Sequence, residues 1–453
     1  MLTCFKSYDV RGRLGDELNE EICERIGRAF ARVMTPGVVV TGRDIRDSSE
    51  SLQAALHRGL IAEGCSVYDI GLCGTEEVYF ATDHLGAGGG LMVTASHNPI
   101  DYNGIKMVRE GSRPISSETG LAEIQAMAEA DDFGESKSGG KVEARDPRAD
   151  FVKHLCTYVA PEGLKPLKIV VNAGNGAAGP TFDALAAGLH SKGLPFEFVR
   201  VHHDPDGTFP NGIPNPLLPE NRDATAQAVK SQNADLGVAW DGDFDRCFFF
   251  DETGAFLDGE YVVALLGAAF CAKETGAKVV HDPRVIWSTI DKVEAAGGQA
   301  IVSRVGHSHI KKIMREQDAA YGGEMSAHHY FRNFMYCDSG MIPWLLVAEL
   351  VARSEVPLSA MVAQMQADYP SSGEINFRVG DKPAAIAAFE AAYGAQTQAV
   401  DRLDGVSLDM GDWRVNVRAS NTEPVLRLNV ETRGDRGLLD TKVAEISALL
   451  GSY

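Results

Sequence analysis

Three times along the chain a run of β-branched residues stops at a polar turn and gives way to a helix-like stretch. Val38, Val39 and Val40 lead into Thr41, Gly42, Arg43 and Asp44. Ile169, Val170 and Val171 lead into Asn172, Ala173, Gly174, Asn175 and Gly176. Val279 and Val280 lead into His281, Asp282, Pro283 and Arg284. Residues 51–61 and 178–189 are the helix-like stretches that follow the first two runs, and 50–61 is amphipathic, as a packed surface helix would be. Strand, turn and helix in that order is the signature of α/β structure.

A second set of short apolar strands ends in chemically loaded loops. Residues 90–93 run into Thr94, Ala95, Ser96 and His97; residues 236–240 run into Asp241, Gly242, Asp243, Phe244 and Asp245; residues 319–323 run into Glu324, Met325, Ser326, Ala327 and His328. Ligands of open α/β sheets bind beyond the carboxyl ends of strands, so these are the loops expected to carry chemistry. The repeat predicts three related α/β domains. Polar or turn-rich stretches at 131–150, 251–254 and 366–374 read as linkers. Beyond them, β-like runs at 413–418 and 425–432 mix with helix-like runs at 384–392 and 438–450, which predicts a smaller C-terminal α+β domain. The expected domains are 1–148, 149–252, 253–367 and 368–453.

Length and composition agree with several soluble domains: 453 residues, 44% hydrophobic, 47 Gly and 19 Pro. The formal charge of −20 argues against nucleic acid and anionic membrane as partners. It also means that an anionic substrate must be met by a local cluster of basic residues. The eight cysteines include no C-x-x-C pair, residues 1–6 lack a basic start with an apolar run, and the longest apolar stretch, 261–272, is too short to span a bilayer. A reducing, cytoplasmic location is expected.

Asp241, Asp243 and Asp245 alternate in a loop after a strand, so their carboxylates can converge. Converging carboxylates repel one another, and a hard divalent cation removes that cost; an all-oxygen set suits Mg²⁺ better than zinc. The same spacing occurs in solvated acidic turns and in phosphatase sites where an Asp is the nucleophile. Ser96 read alone is a turn serine; beside a Mg²⁺ site it becomes a candidate phosphate carrier. No G-x-S-x-G surrounds it, which argues against an esterase elbow. Arg418, Ser420, Asn421 and Thr422 offer a guanidinium, two hydroxyls and an amide, a phosphate cradle or an ordinary turn closed by Pro424. Glu324 and Ser326 alternate and can hydrogen-bond neighbouring sugar hydroxyls. Adjacent His328 and His329 point oppositely on a strand and do not make a pair of metal ligands. Arg11, Lys106, Arg284 and His307 are isolated basic residues near loops.

Together the motifs resemble the α-D-phosphohexomutase family, and within it the bacterial phosphomannomutase/phosphoglucomutase branch. The match runs nearly the whole chain in family order: 8–12, 94–99 with 103–106, 241–246, 306–308, 323–326 and 418–424. The resemblance implies three α/β domains and a smaller fourth around a central active-site cleft. It implies that Ser96 is a phosphoserine and a metal ligand with Asp241, Asp243 and Asp245 holding Mg²⁺. It implies that Glu324 and Ser326 read the sugar's 3- and 4-hydroxyls, and that Arg418, Ser420, Asn421 and Thr422 grip the non-reacting phosphate. Tyr8, Arg11, His97, Lys106 and Arg246 would line the reacting end, and Arg284, His307 and His328 would join in binding substrate. Arg284 stands where many relatives carry Lys. Residues 325–332 resemble phosphomannomutases of surface-polysaccharide pathways rather than glucosamine mutases.

The implied activity interconverts hexose 1- and 6-phosphates, with mannose first and glucose beside it, through a hexose 1,6-bisphosphate that also serves as activator. Hexose phosphates are the expected partners, and the protein is expected to be a monomer or dimer. A Mg²⁺-dependent sugar phosphatase and a non-catalytic sugar-phosphate binder are the alternatives.

Overall fold

The computed structural model describes residues 1–420 and 425–453. They form two compact units: Met1–Phe256 with His328–Pro357, and Leu257–Ala327 with Leu358–Tyr453.

In the first unit, a mixed sheet runs Val10–Arg13, Tyr102–Arg109, Gly89–Val93, Val38–Arg43, Ser66–Leu72, Val142–Ala144. Val38–Arg43 lies parallel to both neighbours, Gly89–Val93 and Ser66–Leu72, and Val39 and Val40 are buried. This is the pattern of a central parallel strand covered on both faces. Helix Glu20–Met34 starts at Asn19, whose side chain accepts from the Ile22 amide, and buries Ile22, Cys23, Ile26, Ala29 and Phe30 at helical spacing. It packs on helix Ser49–Ala62 through Gly27, where a Cβ would stand 2.6 Å from the Leu56 carbonyl.

A second sheet in this unit places Leu236–Trp240 between Cys247–Phe250, antiparallel, and Leu167–Asn172, parallel, with Phe196–Val201 outside the last. Helix Ala178–Ser191 follows Leu167–Asn172, as the repeat requires. The hairpin His329–Phe331 with Cys337–Asp338 and the buried helix Met341–Arg353 complete the unit; Trp240 Nε1 donates to the Gly340 carbonyl at 2.9 Å.

In the second unit, Lys278–His281 pairs in parallel with Gln299–Val302 and Tyr321–Gly323. Its other sheet is antiparallel, in the order Ile375–Phe377, Leu426–Thr432, Trp413–Ala419, Val406–Asp409, Ala399–Asp401, and packs against helices Lys382–Tyr393 and Arg436–Leu450. Buried ties join the two halves of the unit. Arg414 donates to the carbonyls of Pro283 and Arg284, and the Glu431 carboxylate accepts from the amides of Ile286 and Trp287.

The predicted strands and helices are present within a few residues. One reading is corrected. Residues 131–150 are not wholly a linker, because Val142–Ala144 adds a parallel strand beside Ser66–Leu72 and helix Arg148–Leu155 begins there. The alternation of this edge strand is too short and too polar to announce itself. All eight cysteines are free and buried. No helix among the described residues is long and apolar enough to cross a membrane.

Candidate active site

The loop after Gly89–Val93 is tightly held. Ser96 has φ of 50°, the left-handed region, and its amide donates to Thr94 Oγ1 at 2.8 Å. Arg46, from the polar turn after Val38–Arg43, is buried and donates to four carbonyls of this loop: Ser96 at 3.1 Å, Asn98 at 2.5 Å, Pro99 at 2.9 Å and Tyr102 at 3.2 Å. Arg11, itself bound to Asp9 at 2.7 Å, donates to the Ala95 carbonyl at 3.0 Å and to Asn98 Oδ1. Gly242, from the aspartate loop, backs onto the Ser96 carbonyl; a Cβ there would come within 2.6 Å of it. Only glycine permits this approach of the two loops.

The approach puts Ser96 Oγ against the carboxylates. It donates to Asp241 Oδ2 at 2.7 Å and lies 3.1 Å from His97 Nδ1. Arg246 donates to Asp241 Oδ2 through Nε at 3.0 Å and Nη2 at 2.7 Å, and reaches Ser96 Oγ at 3.4 Å. Arg246 Nη2 also meets His97 Nδ1. Burial, then Arg246 and Arg11, push the His97 pKa well below the usual range, so the ring is neutral.

Asp241, Asp243 and Asp245 are all buried, and one oxygen from each lies within 4.8 Å of the others. Asp243 Oδ2 accepts from Thr75 Oγ1 at 2.6 Å and Lys106 Nζ at 2.7 Å; Lys106 also pairs with Asp245. Burial opposes ionisation of Asp243, but Lys106 and Thr75 outweigh it and hold the carboxyl below the usual range. Burial and the Asp243 charge push Asp245 up to about 6. Asp243 Oδ1 and Asp245 Oδ1 have no hydrogen-bond partner among the described residues. Buried carboxylate oxygens without donors fit a hard cation, and the all-oxygen donor set fits one as well.

His328 belongs to the first unit. It forms a bridge with Arg246, and its Nδ1 lies 3.1 Å from Asp338. Burial opposes its protonation, yet Asp245 and Asp338 raise its pKa. Asp245, His328 and Asp338 are a second set with metal-ligating spacing. Tyr8 is half-buried, just before Val10–Arg13.

In the second unit, Glu324 Oε1 accepts from the Gly306 amide at 2.9 Å, beside His307 at the start of helix His307–Gln317. Asp282 accepts from the Met325 amide at 2.8 Å and chelates Arg284 through Nε at 3.0 Å and Nη2 at 2.8 Å, and Arg284 Nη2 lies 3.4 Å from Ser326 Oγ. Glu324, Ser326, Arg284 and His307 are thus brought together. Arg418 is buried and pairs with Glu374 at 2.8 Å, while the Ser420 amide donates to the Val425 carbonyl at 2.9 Å. Asn421 and Thr422 lie outside the described residues.

Sequence reasoning missed Arg46, Thr75, Asp338 and Glu374. Arg46 lies two residues beyond the polar turn read at Thr41 to Asp44, and a helix-starting Thr75 has no motif of its own.

A hydroxyl activated among a carboxylate trio, a neutral histidine and two arginines is an arrangement for metal-assisted phosphoryl transfer. Family models for the phosphoglucomutase/phosphomannomutase domains match in order: alpha/beta/alpha domain I over residues 3–135, domain II over 149–254, domain III over 258–369 and the C-terminal domain over 374–448. A curated protein called "Phosphohexose mutases" from Xanthomonas campestris pv. campestris is 59% identical over 449 residues, 99% of each chain. A phosphomannomutase of Salmonella montevideo is 56% identical over 453 residues, 100% of this chain and 99% of that one. A solved phosphoglucomutase/phosphomannomutase family protein of Burkholderia thailandensis superposes with a TM-score of 0.87 at 30% identity, covering 99% of this chain and 98% of its own. The chain belongs to the phosphoglucomutase/phosphomannomutase family, three α/β domains followed by a C-terminal domain.

Proposed function

We propose that this chain is a hexose phosphate mutase that moves a phosphoryl group between C6 and C1 through phosphorylated Ser96, with mannose phosphates the first substrates and glucose phosphates accepted beside them. The single observation that carries the mechanism is Ser96 Oγ at 2.7 Å from Asp241, inside a cluster that also holds Arg246 and His97.

Asp241, Asp243 and Asp245 would hold Mg²⁺ together with an oxygen on Ser96. Bound there, the ion would neutralise charge on the transferring group. Transfer forms a bond from phosphorus to the sugar hydroxyl oxygen and breaks the bond to Ser96 Oγ. Arg246, within reach of Oγ, stabilises the charge that develops there, and the sugar hydroxyl's proton passes to the neutral His97. Lys106 and Arg11 complete the positive surroundings, with Tyr8 beside them. The resulting 1,6-bisphosphate turns over and returns its other phosphoryl group to Ser96, which makes a hexose 1,6-bisphosphate the natural activator.

Glu324 and Ser326 read the 3- and 4-hydroxyls, which mannose and glucose share. Arg418, Ser420, Asn421 and Thr422 grip the phosphate that is not reacting, with Arg284 and His307 beside it; His328 is a further substrate-binding residue. Residues 1–148, 149–252, 253–367 and 368–453 are the working domains of this reading. In this reading the protein is cytoplasmic and supplies sugar nucleotide precursors for surface polysaccharide. Two coupled assays test the proposal. Mannose 1-phosphate and glucose 1-phosphate are compared on the native protein, and both are repeated on Ser96→Ala. Turnover retained by that variant would sink the phosphoserine mechanism and favour a phosphatase using Asp241.

A further inference from the structure

Within the second unit, one carboxylate is the meeting point of three guanidinium groups. Glu374 Oε2 accepts from Arg284 Nη1 at 3.1 Å and Arg418 Nη2 at 2.8 Å, and Oε1 lies 3.2 Å from Arg427 Nη1. Arg284 and Arg418 are each buried, at 3% and 2% exposure. Arg284 has a second anion, Asp282, chelating its other edge. Arg418 Nε, on the edge away from Nη1, has no partner among the described residues. Burial disfavours the Glu374 charge, yet Arg284, Arg427 and Arg418 hold its carboxyl below the usual range, so it is ionised at neutral pH.

The cluster therefore carries three positive and two negative charges, a net +1 that becomes +2 without Glu374. A phosphate and a carboxylate seek the same guanidinium geometry. An anion entering at Arg418 must share the arginines with a carboxylate already in contact with all three.

We propose that Glu374 is an internal counter-ion that weakens the grip of the Arg284, Arg418 and Arg427 cluster on phosphate, so that the held phosphate can be let go. The inference rests on the reading of the Arg418 loop as the site of the non-reacting phosphate. The proposed reaction requires that grip to be temporary, because each phosphate of the bisphosphate must occupy both ends of the site by turns. An uncompensated cluster would bind substrate and bisphosphate alike more tightly, which lowers KM but does not speed turnover. Glu374 would keep the arginines oriented while holding their combined charge to +1.

The test is calorimetric titration of the full chain with inorganic phosphate and with mannose 6-phosphate, for the native protein, Glu374→Gln, Glu374→Asp and Arg418→Met, each checked for an unchanged melting profile. Gln keeps the shape and one acceptor but removes the charge; both ligands should bind about tenfold tighter, and kcat and KM should fall together. Asp keeps the charge but draws it back by one methylene, so it should tighten binding less. A damaged cluster would instead lower kcat with KM unchanged or raised. If Arg418→Met weakens phosphate binding while neither Glu374 variant tightens it, the counter-ion role is overturned and the phosphate site stands. If Arg418→Met leaves phosphate binding unchanged, the phosphate-site reading itself has failed.

Discussion

Replacing Arg46 by Met keeps the length of the side chain and deletes the guanidinium that ties four carbonyls of the Ser96 loop. It also removes the partner that lies 3.6 Å from the buried Asp44 carboxylate. Each charged hydrogen bond lost is worth about 1.5–3 kcal/mol, and such losses within one network do not add in full. Asp44 keeps the Ser49 hydroxyl at 2.5 Å. The expected cost is therefore that of one broken buried ion pair, about 3–5 kcal/mol. Burial already raises the Asp44 pKa, with Arg46 opposing, and the variant raises it further. A carboxyl whose folded pKa is raised contributes stability below its unfolded pKa, and that stability is lost as pH rises through the folded value. The defect should therefore be larger at pH 8 than at pH 5.

Activity of the folded fraction should fall as well, because a 1 Å displacement of a reacting atom costs about 100-fold. Thermal melts at the two pH values, with the coupled mutase assay on the folded variant, measure both effects. Adding Asp44→Asn should recover most of the stability and none of the activity, since the carbonyls stay without their donor. Wild-type kcat/KM in Arg46→Met would refute the claim that this side chain positions Ser96.

Thr75→Val removes the 2.6 Å hydroxyl contact to Asp243 and should weaken divalent-metal affinity about 10–100-fold, read by titrating activity with Mg²⁺ after chelation. Gly74→Ala would drive a Cβ into the buried Phe244 ring, which sits between Asp243 and Asp245; a loss of about 1–3 kcal/mol in melting experiments is expected, with weaker metal binding. Burial and the nearby Asp258 push the Glu260 carboxyl up to about 8. Its contribution to stability is thus present in full below about pH 4.5 and lost as pH climbs to about 8. Glu260→Gln should gain melting temperature relative to the native protein between pH 5 and pH 9, and an unchanged difference would show that Glu260 does not titrate in this way.

The three β-branched runs were legible because a strand covered on both faces reads as a continuous apolar stretch, and the turn after each marks its carboxyl end. The loaded loops followed from the same rule, but Ser96 read alone was a turn serine, and it became a candidate only beside the aspartate trio, Glu324 and the Arg418 loop. Arg46 was not found, because four contacts to carbonyls depend on the path of the backbone and leave no mark in residue type. Glu374 was hidden for a similar reason: it ends a stretch read as a linker, and its three arginines come from positions 284, 418 and 427. The contact of His328 with Asp338, and its place with Asp245, 83 positions before it, in a metal-spaced set, left no mark in sequence spacing. The strand Val142–Ala144 escaped because three mostly polar residues at a sheet edge show no usable alternation.

In the proposed mechanism Ser96 carries the transferred phosphoryl group. Its most direct test is intact-mass and peptide mass spectrometry of the full chain charged with glucose 1,6-bisphosphate and then mixed with an excess of mannose 1-phosphate in a single turnover. One added phosphoryl group is expected, mapped to Ser96, that disappears at the rate at which bisphosphate forms. A chain that turns over hexose phosphate while Ser96 stays unmodified throughout, or a phosphoryl group found on Asp241 instead, would contradict it.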